Sequence, residues 1–200
     1  MDEKENVCSN SKRRLKFLGF ALLAVVIFCI GVSKGLYIQA LLGSSEAQFR
    51  MSMLEVRDPY KAMKWLRRAS DNGHPKAQLL LSMNYKRGTL VPCDKEMAEK
   101  LLEKSVKGFK KRAKNGNSEA QYYYGRALLD GFVVDKDVEE AEKMLKTSAE
   151  RGFAEAQRAL GDFYASKKHG RRNVEEAKKW YLKAKKSGYK NIDWKIRALD

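Results

Sequence analysis

Residues 118–152 read SEAQYYYGRALLDGFVVDKDVEEAEKMLKTSAERG, and they show the structural unit of the chain most completely. Its apolar residues recur at steps of three and four positions, which is typical of an amphipathic helix. A glycine-containing turn around Gly131 separates two such helices. A helical hairpin of this kind leaves one apolar face uncovered, so it must stack on copies of itself.

Copies of this unit lie on both sides of it. An Ala-Gln pair opens each first helix, and its alanines are Ala47, Ala77, Ala120 and Ala156. A single alanine marks each second helix, at Ala62, Ala98, Ala141 and Ala177. These second alanines are 36, 43 and 36 positions apart. The seven extra residues, which precede Asn115, amount to about two helical turns. They should therefore lengthen a helix without rotating its apolar face much.

The pattern resembles the Sel1-like repeat family, which is related to the tetratricopeptide repeat. The last copy carries the motif most fully, at Ala154-Glu155-Ala156-Gln157, Leu160-Gly161, Tyr164, Ala177, Trp180-Tyr181, Ala184 and Gly188. The resemblance spans about residues 45–190 and implies an all-α fold, a right-handed α-solenoid of stacked helical hairpins. The four repeats would occupy 45–73, 75–116, 118–152 and 154–188. Residues 191–200 are expected to form a capping helix, because a terminal repeat needs a cover.

Helix ends are marked in the sequence. Second helices are expected to begin after the N-cap residues Asp58, Asp94, Asp137 and Asn173. They are expected to end at Gly73, Gly116, Gly152 and Gly188, each suited to a left-handed position. Ser45, followed by Gln48 three residues later, has the pattern of a capping box for the first helix.

An uncharged apolar run covers residues 17–33. As a helix it would span roughly 25 Å, close to the lower limit for crossing a bilayer. Five basic residues precede it within 1–16, four of them clustered at 12–16, and Lys34 follows it. The positive-inside rule then places 1–16 in the cytoplasm and the repeats across the membrane. We predict a single transmembrane helix with its extension over 17–42. The small residues Gly31 and Ser33 also fit a cleaved signal peptide, which remains the alternative.

Catalytic patterns are missing from the sequence. His74 and His169 lie in predicted turns and have no partner at metal-ligand spacing. Cys93 has no histidine near it in sequence, so we interpret it as a thiol in a loop and not as a catalytic nucleophile. We therefore expect no enzyme activity, no metal, no cofactor and no small-molecule substrate.

The charge is strongly positive. The formal net charge is +16, and 36 basic against 22 acidic residues remain without residues 1–33. A basic patch is expected at Lys107, Lys110, Lys111, Arg112 and Lys114. Such a balance favours an acidic protein partner or anionic headgroups, although a merely solvated lysine-rich surface also explains it. A second basic cluster lies in a predicted loop, at Lys167, Lys168, Arg171 and Arg172. Nucleic acid is not expected, because neither cluster is interleaved with exposed aromatic residues.

The resemblance also implies a binding groove. In tetratricopeptide relatives, side chains two and six places after the alanine of Ala-Gln line the concave wall. The matching positions here are Phe49, Met53, Leu79, Met83, Tyr122, Arg126, Arg158 and Asp162. The four from Leu79 to Arg126 should be exposed if this assignment is right. Phe49 and Met53 could instead simply cover the membrane-proximal edge of the first repeat.

The function that the resemblance implies is a scaffold or adaptor of the bacterial envelope. It would be a single-pass inner membrane protein whose periplasmic repeats bind another protein in the groove. The alternative is a tethered inhibitor, or immunity protein, that neutralises a secreted toxic enzyme through the same groove.

Overall fold

The computed structural model describes residues 34–199, and every regular element among them is a helix. The chain divides into two compact units, 1–72 and 73–200. Within the described part, no helix has the length and apolar character needed to cross a bilayer. The predicted cytoplasmic segment 1–16 and the predicted anchor residues 17–33 lie outside the described residues.

The first unit contains three helices: α1 (helical over residues 34–41), α2 (Ser45–Leu54) and α3 (Pro59–Asp71). Its core joins Leu36 and Ala40 of α1 to Ala47 of α2 and Trp65 of α3. The ring of Tyr37 meets Trp65 edge to face, at 5.9 Å between centroids. The predicted extension of the anchor is thus helical, and it also packs into the core of the first unit, which the sequence did not predict.

The second unit contains α4 (Pro75–Arg87), α5 (Lys95–Lys114), α6 (Ser118–Asp130), α7 (Val138–Glu150), α8 (Ala154–Ala165), α9 (Val174–Lys186) and α10 (Asp193–Arg197). Consecutive helices pair as three hairpins, and α5 packs on α6 as α7 packs on α8. Ile192, just before α10, is 1% exposed and lies in one cluster with Ala177, Tyr181 and Ala184. The end of the last hairpin is therefore covered by apolar residues.

Helix α5 contains the extra residues. It has 20 residues, whereas the second helices α3, α7 and α9 have 13 each. The Ser105 hydroxyl donates to the carbonyl of Pro75 at 2.9 Å, and Ser148 makes the matching bond to Ser118 at 2.7 Å. The insertion thus lengthens the helix and keeps its buried face in register, as its length predicts.

The four predicted N-caps of the second helices are confirmed. Each side-chain oxygen accepts a backbone N–H of the first turn, for example Met97 N–H to Asp94 at 2.9 Å. The glycines that end these helices have φ values from +77° to +87°. The capping box predicted at Ser45 is wrong. Ser44 is the N-cap, because its extended backbone lets Oγ accept the Ala47 N–H at 3.3 Å.

Buried glutamines join successive helices. Gln48, Gln121 and Gln157 each donate Nε2 to a carbonyl eight residues earlier, at Ala40 (2.9 Å), Ala113 (3.4 Å) and Ala149 (3.0 Å). A buried amide needs such a bond to offset its desolvation. The glutamine of the repeated Ala-Gln pair therefore holds the start of a repeat to the end of the helix before it.

Candidate functional site

An apolar cleft lies in the second unit between α4, α5 and α6, with a volume of 160 Å³. Its apolar lining consists of Leu79, Met83, Leu102, Val106, Phe109, Tyr123, Ala127, Phe132 and Val133. An apolar cavity of about 150 Å³ accepts a benzene ring. The cleft therefore has room for one leucine or phenylalanine side chain of a partner.

The wall of the cleft is formed by stacked rings. Phe109 and Tyr123 lie 4.6 Å apart between centroids, with an interplanar angle of 18°. Burial raises the pKa of Tyr123, while the nearby Lys76 ammonium acts against this rise. The Tyr123 phenol is therefore neutral at physiological pH, and the wall that it forms carries no charge.

The mouth of the cleft exposes apolar side chains. Met83 is 41% exposed, and Phe132, in the loop after α6, is 88% exposed. Exposed apolar groups that gather at the rim of an apolar cleft are characteristic of interaction sites. This cleft is therefore the candidate site.

A polar pocket of 330 Å³ adjoins the cleft and shares Arg126 and Asp130 with it. Its lining includes Arg126, Asp130, Arg158, Asp162, Lys168 and His169. Arg126 is exposed, and its Nη1 donates to the Tyr122 hydroxyl at 3.4 Å, a bond that raises the pKa of Arg126. Arg126 thus places a permanent positive charge at the junction of cleft and pocket.

Two predicted groove residues are held in a structural network. Arg158 forms an ion pair with Asp162. Asp162 also accepts the Tyr181 hydroxyl at 2.8 Å and Lys195 Nζ at 2.6 Å. These contacts join α8 to α9 and α10. Arg158 and Asp162 therefore already take part in contacts that stabilise the fold.

The structure brings Leu79, Met83 and Arg126 together around the cleft. The expected exposure is confirmed for Met83 and Arg126, whereas Leu79 is partly buried. For Tyr122 the expectation is wrong, because Tyr122 is only 6% exposed and packs in a cluster with Leu145 and Leu160. Successive helical residues point about 100° apart, so Tyr123 lines the cleft instead.

The other two predicted groove residues belong to the first unit. Phe49 is 8% exposed and therefore buried, whereas Met53 is 49% exposed. The burial of Phe49 contradicts a role for that side chain in an open groove. Met53 remains accessible.

Sequence reasoning missed the contribution of α5. Leu102, Val106 and Phe109 form one side of the cleft, but the groove rule counts first helices only. Phe132 was also missed, although a phenylalanine directly after the turn glycine Gly131 was a usable signal.

The predicted basic patch lies on another face of α5. Lys107, Lys110, Lys111 and Lys114 are exposed at helical spacing, and Arg112 is partly buried. The buried Val106, Phe109 and Ala113 face the core. A partner in the cleft and a partner on the patch would therefore meet different sides of the same helix.

The two histidines have structural contacts. His74 Nδ1 accepts the Ala77 N–H at 3.2 Å and so caps α4. His169 stacks on Phe163 at 5.4 Å, and burial lowers its pKa. In residues 34–199, no group of three or more His, Cys, Asp or Glu side chains could hold a metal ion.

Alkaline pH should destabilise the fold through two tyrosines. The Tyr164 and Tyr181 hydroxyls donate to Glu142 at 2.5 Å and to Asp162 at 2.8 Å. Burial first, and then these bonds, raises the pKa of both phenols.

The stabilisation of the fold by these two phenols is complete below the unfolded-state pKa of about 10 and is lost as pH rises above it. Thermal unfolding should show Tm falling above about pH 10, and falling less in the Tyr164→Phe/Tyr181→Phe double variant. The two proteins differ only in these two hydroxyl groups, so identical slopes would contradict the expectation.

Comparison with known proteins gives the family. The Sel1 repeat model matches residues 45–74, 75–108, 118–153 and 154–189. No curated protein matches the chain. A solved Sel1 repeat protein from Oxalobacter formigenes is 26% identical with a TM-score of 0.53, covering 78% of this chain and 63% of that one.

Two further solved structures are similar. The Escherichia coli protective antigen c5321, with an SLR fold, is 26% identical with a TM-score of 0.48, covering 82% of this chain and 43% of that one. The immunity protein Pa5087 from Pseudomonas aeruginosa is 19% identical with a TM-score of 0.44, covering 72% and 66%. The chain spans less than two thirds of the first two of these proteins. With four repeats matched over most of its length, this chain belongs to the Sel1 repeat family.

Proposed function

We propose that this protein is a membrane-anchored interaction module, a scaffold or adaptor of the bacterial envelope. Residues 17–33 would hold it in the inner membrane, and the second unit would bind another protein. Sel1 repeats generally serve protein–protein interaction. The observation that carries the proposal is the apolar cleft that opens beside Met83 and Phe132 and ends at Arg126.

The chemistry of the cleft limits its partner. One apolar or aromatic side chain would enter between Leu79, Phe109 and Tyr123. A carboxylate further along the same segment would reach Arg126, which is exposed at the end of the cleft. An amphipathic segment lying in a groove is a common recognition mode. The basic surface of α5 would speed the approach of an acidic protein.

The inhibitor alternative uses the same cleft and differs in the partner. A scaffold would bind a resident envelope protein, whereas an immunity protein would bind a secreted toxic enzyme and abolish its activity. The identity of a partner crosslinked to the cleft would therefore separate the two functions.

Site-specific crosslinking tests the cleft in cells. A photoreactive phenylalanine analogue at Met83 should form an adduct with one partner protein. The same analogue at Leu182, an apolar residue of α9 that is 51% exposed, is the matched control. Capture of the same protein with equal yield from both positions would contradict the cleft assignment.

Changing the cleft should weaken binding to that partner. Met83→Glu combined with Arg126→Ala should cost at least about 2 kcal/mol of binding free energy, roughly a 30-fold rise in Kd, because a few central contacts usually dominate an interface. Both residues are exposed, so folding stability should change by only about ±0.5 kcal/mol. Calorimetric titration and thermal unfolding measure the two effects.

Variants of the basic patch should affect binding in a different way from variants of the cleft. Replacing Lys110, Lys111 and Arg112 by alanine should mainly slow association and reduce its salt dependence. If the partner tolerates the cleft variant and is lost with the patch variant, the binding site lies on α5 and the cleft assignment is wrong.

The proposed topology predicts the labelling of cysteines. Cys93 is exposed in the second unit, so a membrane-impermeant thiol reagent should reach it in intact spheroplasts. Cys8, on the proposed cytoplasmic side, should react only after lysis. The Cys93→Ser variant is the control and should lose the signal. Reversed labelling would overturn the orientation, and a shortened soluble form would favour the signal-peptide alternative.

A further inference from the structure

The tip of the first hairpin exposes apolar side chains. Leu54, Val56 and Tyr60 are 63%, 84% and 76% exposed, and they follow one another around the loop between α2 and α3. Arg57 and Lys61, both exposed, lie among them. Glu55 is partly buried, and the Asp58 carboxylate accepts the Tyr60 and Lys61 N–H groups at 3.1 and 3.0 Å. The Lys61 ammonium also forms an ion pair with the Asp58 carboxylate at 3.6 Å. The two cations of this tip are nevertheless more exposed than its two carboxylates.

The position of the tip along the first unit follows from a hydrogen bond and an apolar contact. Gln48 Nε2 donates to the Ala40 carbonyl at 2.9 Å, so α2 begins beside the end of α1. Met51 packs against the cluster that contains Leu36, so α2 runs back along α1. Six residues separate Ala40 from Lys34, and six separate Gln48 from Leu54. Each of these two six-residue segments rises about 9 Å along its helix. Leu54 therefore lies level with Lys34, measured along the helix axes.

Helix α3 brings Tyr60 to the same end. Asn72, after the last turn of α3, donates Nδ2 to Gln48 Oε1 at 2.8 Å. Because α3 packs antiparallel to α2, its first turn lies at the end marked by Leu54. The tip is thus at the end of the first unit where α1 joins the apolar run 17–33.

We propose that this tip, formed by Leu54, Val56 and Tyr60 with Arg57 and Lys61, rests in the headgroup layer of an anionic membrane. The proposal rests on the anchoring role given above to residues 17–33. Apolar and aromatic side chains interleaved with lysine and arginine suit a bilayer interface, where the rings and alkyl groups enter the boundary and the cations meet anionic lipid. Tyrosine in particular is enriched at this depth.

Such a contact would hold the first unit at two points. The chain would enter it from the anchor through α1, and the hairpin tip would touch the same lipid surface. The first unit would then stand on the membrane in a fixed orientation, with the turn at Leu42 facing away from the bilayer.

The structure provides a matched control for this contact. Leu42, in the turn between α1 and α2, is 81% exposed, nearly as much as Val56. It lies eight residues from Lys34, about 12 Å further from the proposed membrane surface. Val56 is thus expected to contact lipid and Leu42 to contact water, although the two side chains are almost equally exposed.

Spin-label accessibility on the full chain tests the proposal. Single cysteines at Val56, Leu42 or Val25 would be introduced after replacing Cys8, Cys29 and Cys93 by serine. The labelled chain would be placed, one copy per disc, in nanodiscs of phosphatidylglycerol and phosphatidylethanolamine. We expect collisions with a water-soluble nickel complex to be several-fold fewer at position 56 than at 42, and collisions with oxygen to be more frequent. Arg57→Gln with Lys61→Gln should return position 56 toward the value at 42.

Each outcome decides the matter. If positions 56 and 42 are equally open to nickel while position 25 is protected, the tip does not touch lipid and the anchor still stands. If position 25 is open to nickel, the anchor fails and this inference fails with it. If position 56 is protected from nickel only in discs that hold two chains, the tip contacts a second copy of the protein. That result would overturn the lipid contact. Protection that survives the Arg57 and Lys61 changes would overturn the role of anionic headgroups.

Discussion

Gly161→Leu should unfold the last hairpin of the protein. A Cβ atom at Gly161 would lie 2.3 Å from both Cδ1 and Cε1 of Tyr181, far inside van der Waals contact. Tyr181 is 3% exposed, and its hydroxyl is held by Asp162, so the ring has no space to move into. Overpacking of a core costs about 1–3 kcal/mol and occasionally more. We expect the upper end of this range or beyond.

Thermal unfolding of the full chain in mild detergent, followed by circular dichroism, measures this loss. Gly35→Ala is the matched control, because a Cβ atom there would meet nothing within 4 Å on helix α1. Alanine is favoured over glycine inside a helix, so the control should keep or slightly raise the Tm. An unchanged Tm for Gly161→Leu would show that α8 and α9 do not cross as closely as described.

Tyr122→Ala should be at least as damaging, and for a reason that reverses the sequence-based expectation. The ring is 6% exposed and lies 5.5 Å from Phe153 between centroids, in the cluster that contains Leu145 and Leu160, both 0% exposed. Truncation of a buried aromatic residue to alanine costs about 3–5 kcal/mol, because it removes apolar contacts and leaves a cavity. Urea unfolding should show this loss of free energy.

Two variants separate the ring from its hydroxyl and from surface effects. Tyr122→Phe should keep most of the stability, because the Arg126 bond to the hydroxyl is long at 3.4 Å. Met83→Ala, at the 41% exposed mouth of the cleft, should stay within about ±0.5 kcal/mol. Equal losses for Tyr122→Ala and Met83→Ala would mean that Tyr122 is a surface residue after all.

The helical hairpins of the repeats could be predicted because each depends on local, periodic signals. The N-caps Asp94 and Asp137 and the length of α5 follow from spacing alone. The packing of Leu36 and Ala40 into the first core could not be predicted in the same way. Those residues continue an apolar run, and nothing in their own pattern separates a membrane extension from a core helix.

The site was predicted only in part. The rule for groove residues specifies positions along a first helix, but it does not specify how that helix is rotated about its axis relative to its neighbours. On α4 the rule found Leu79 and Met83, which do line the cleft. On α6 it chose Tyr122, and the neighbouring Tyr123 takes the place in the cleft. The lining by α5 depends on how neighbouring hairpins stack, which a rule about single first helices does not contain.

The buried glutamines also bear on how the chain is made. Gln48, Gln121 and Gln157 all donate to carbonyls that precede them in the sequence, and Ser105 and Ser148 do the same over 30 residues. During synthesis each of these residues leaves the ribosome after its acceptor. Every such bond can therefore close without waiting for later sequence, and domains generally fold first at the amino-terminal end. Because these bonds span only eight or 30 residues, they suit a protein assembled repeat by repeat as it emerges.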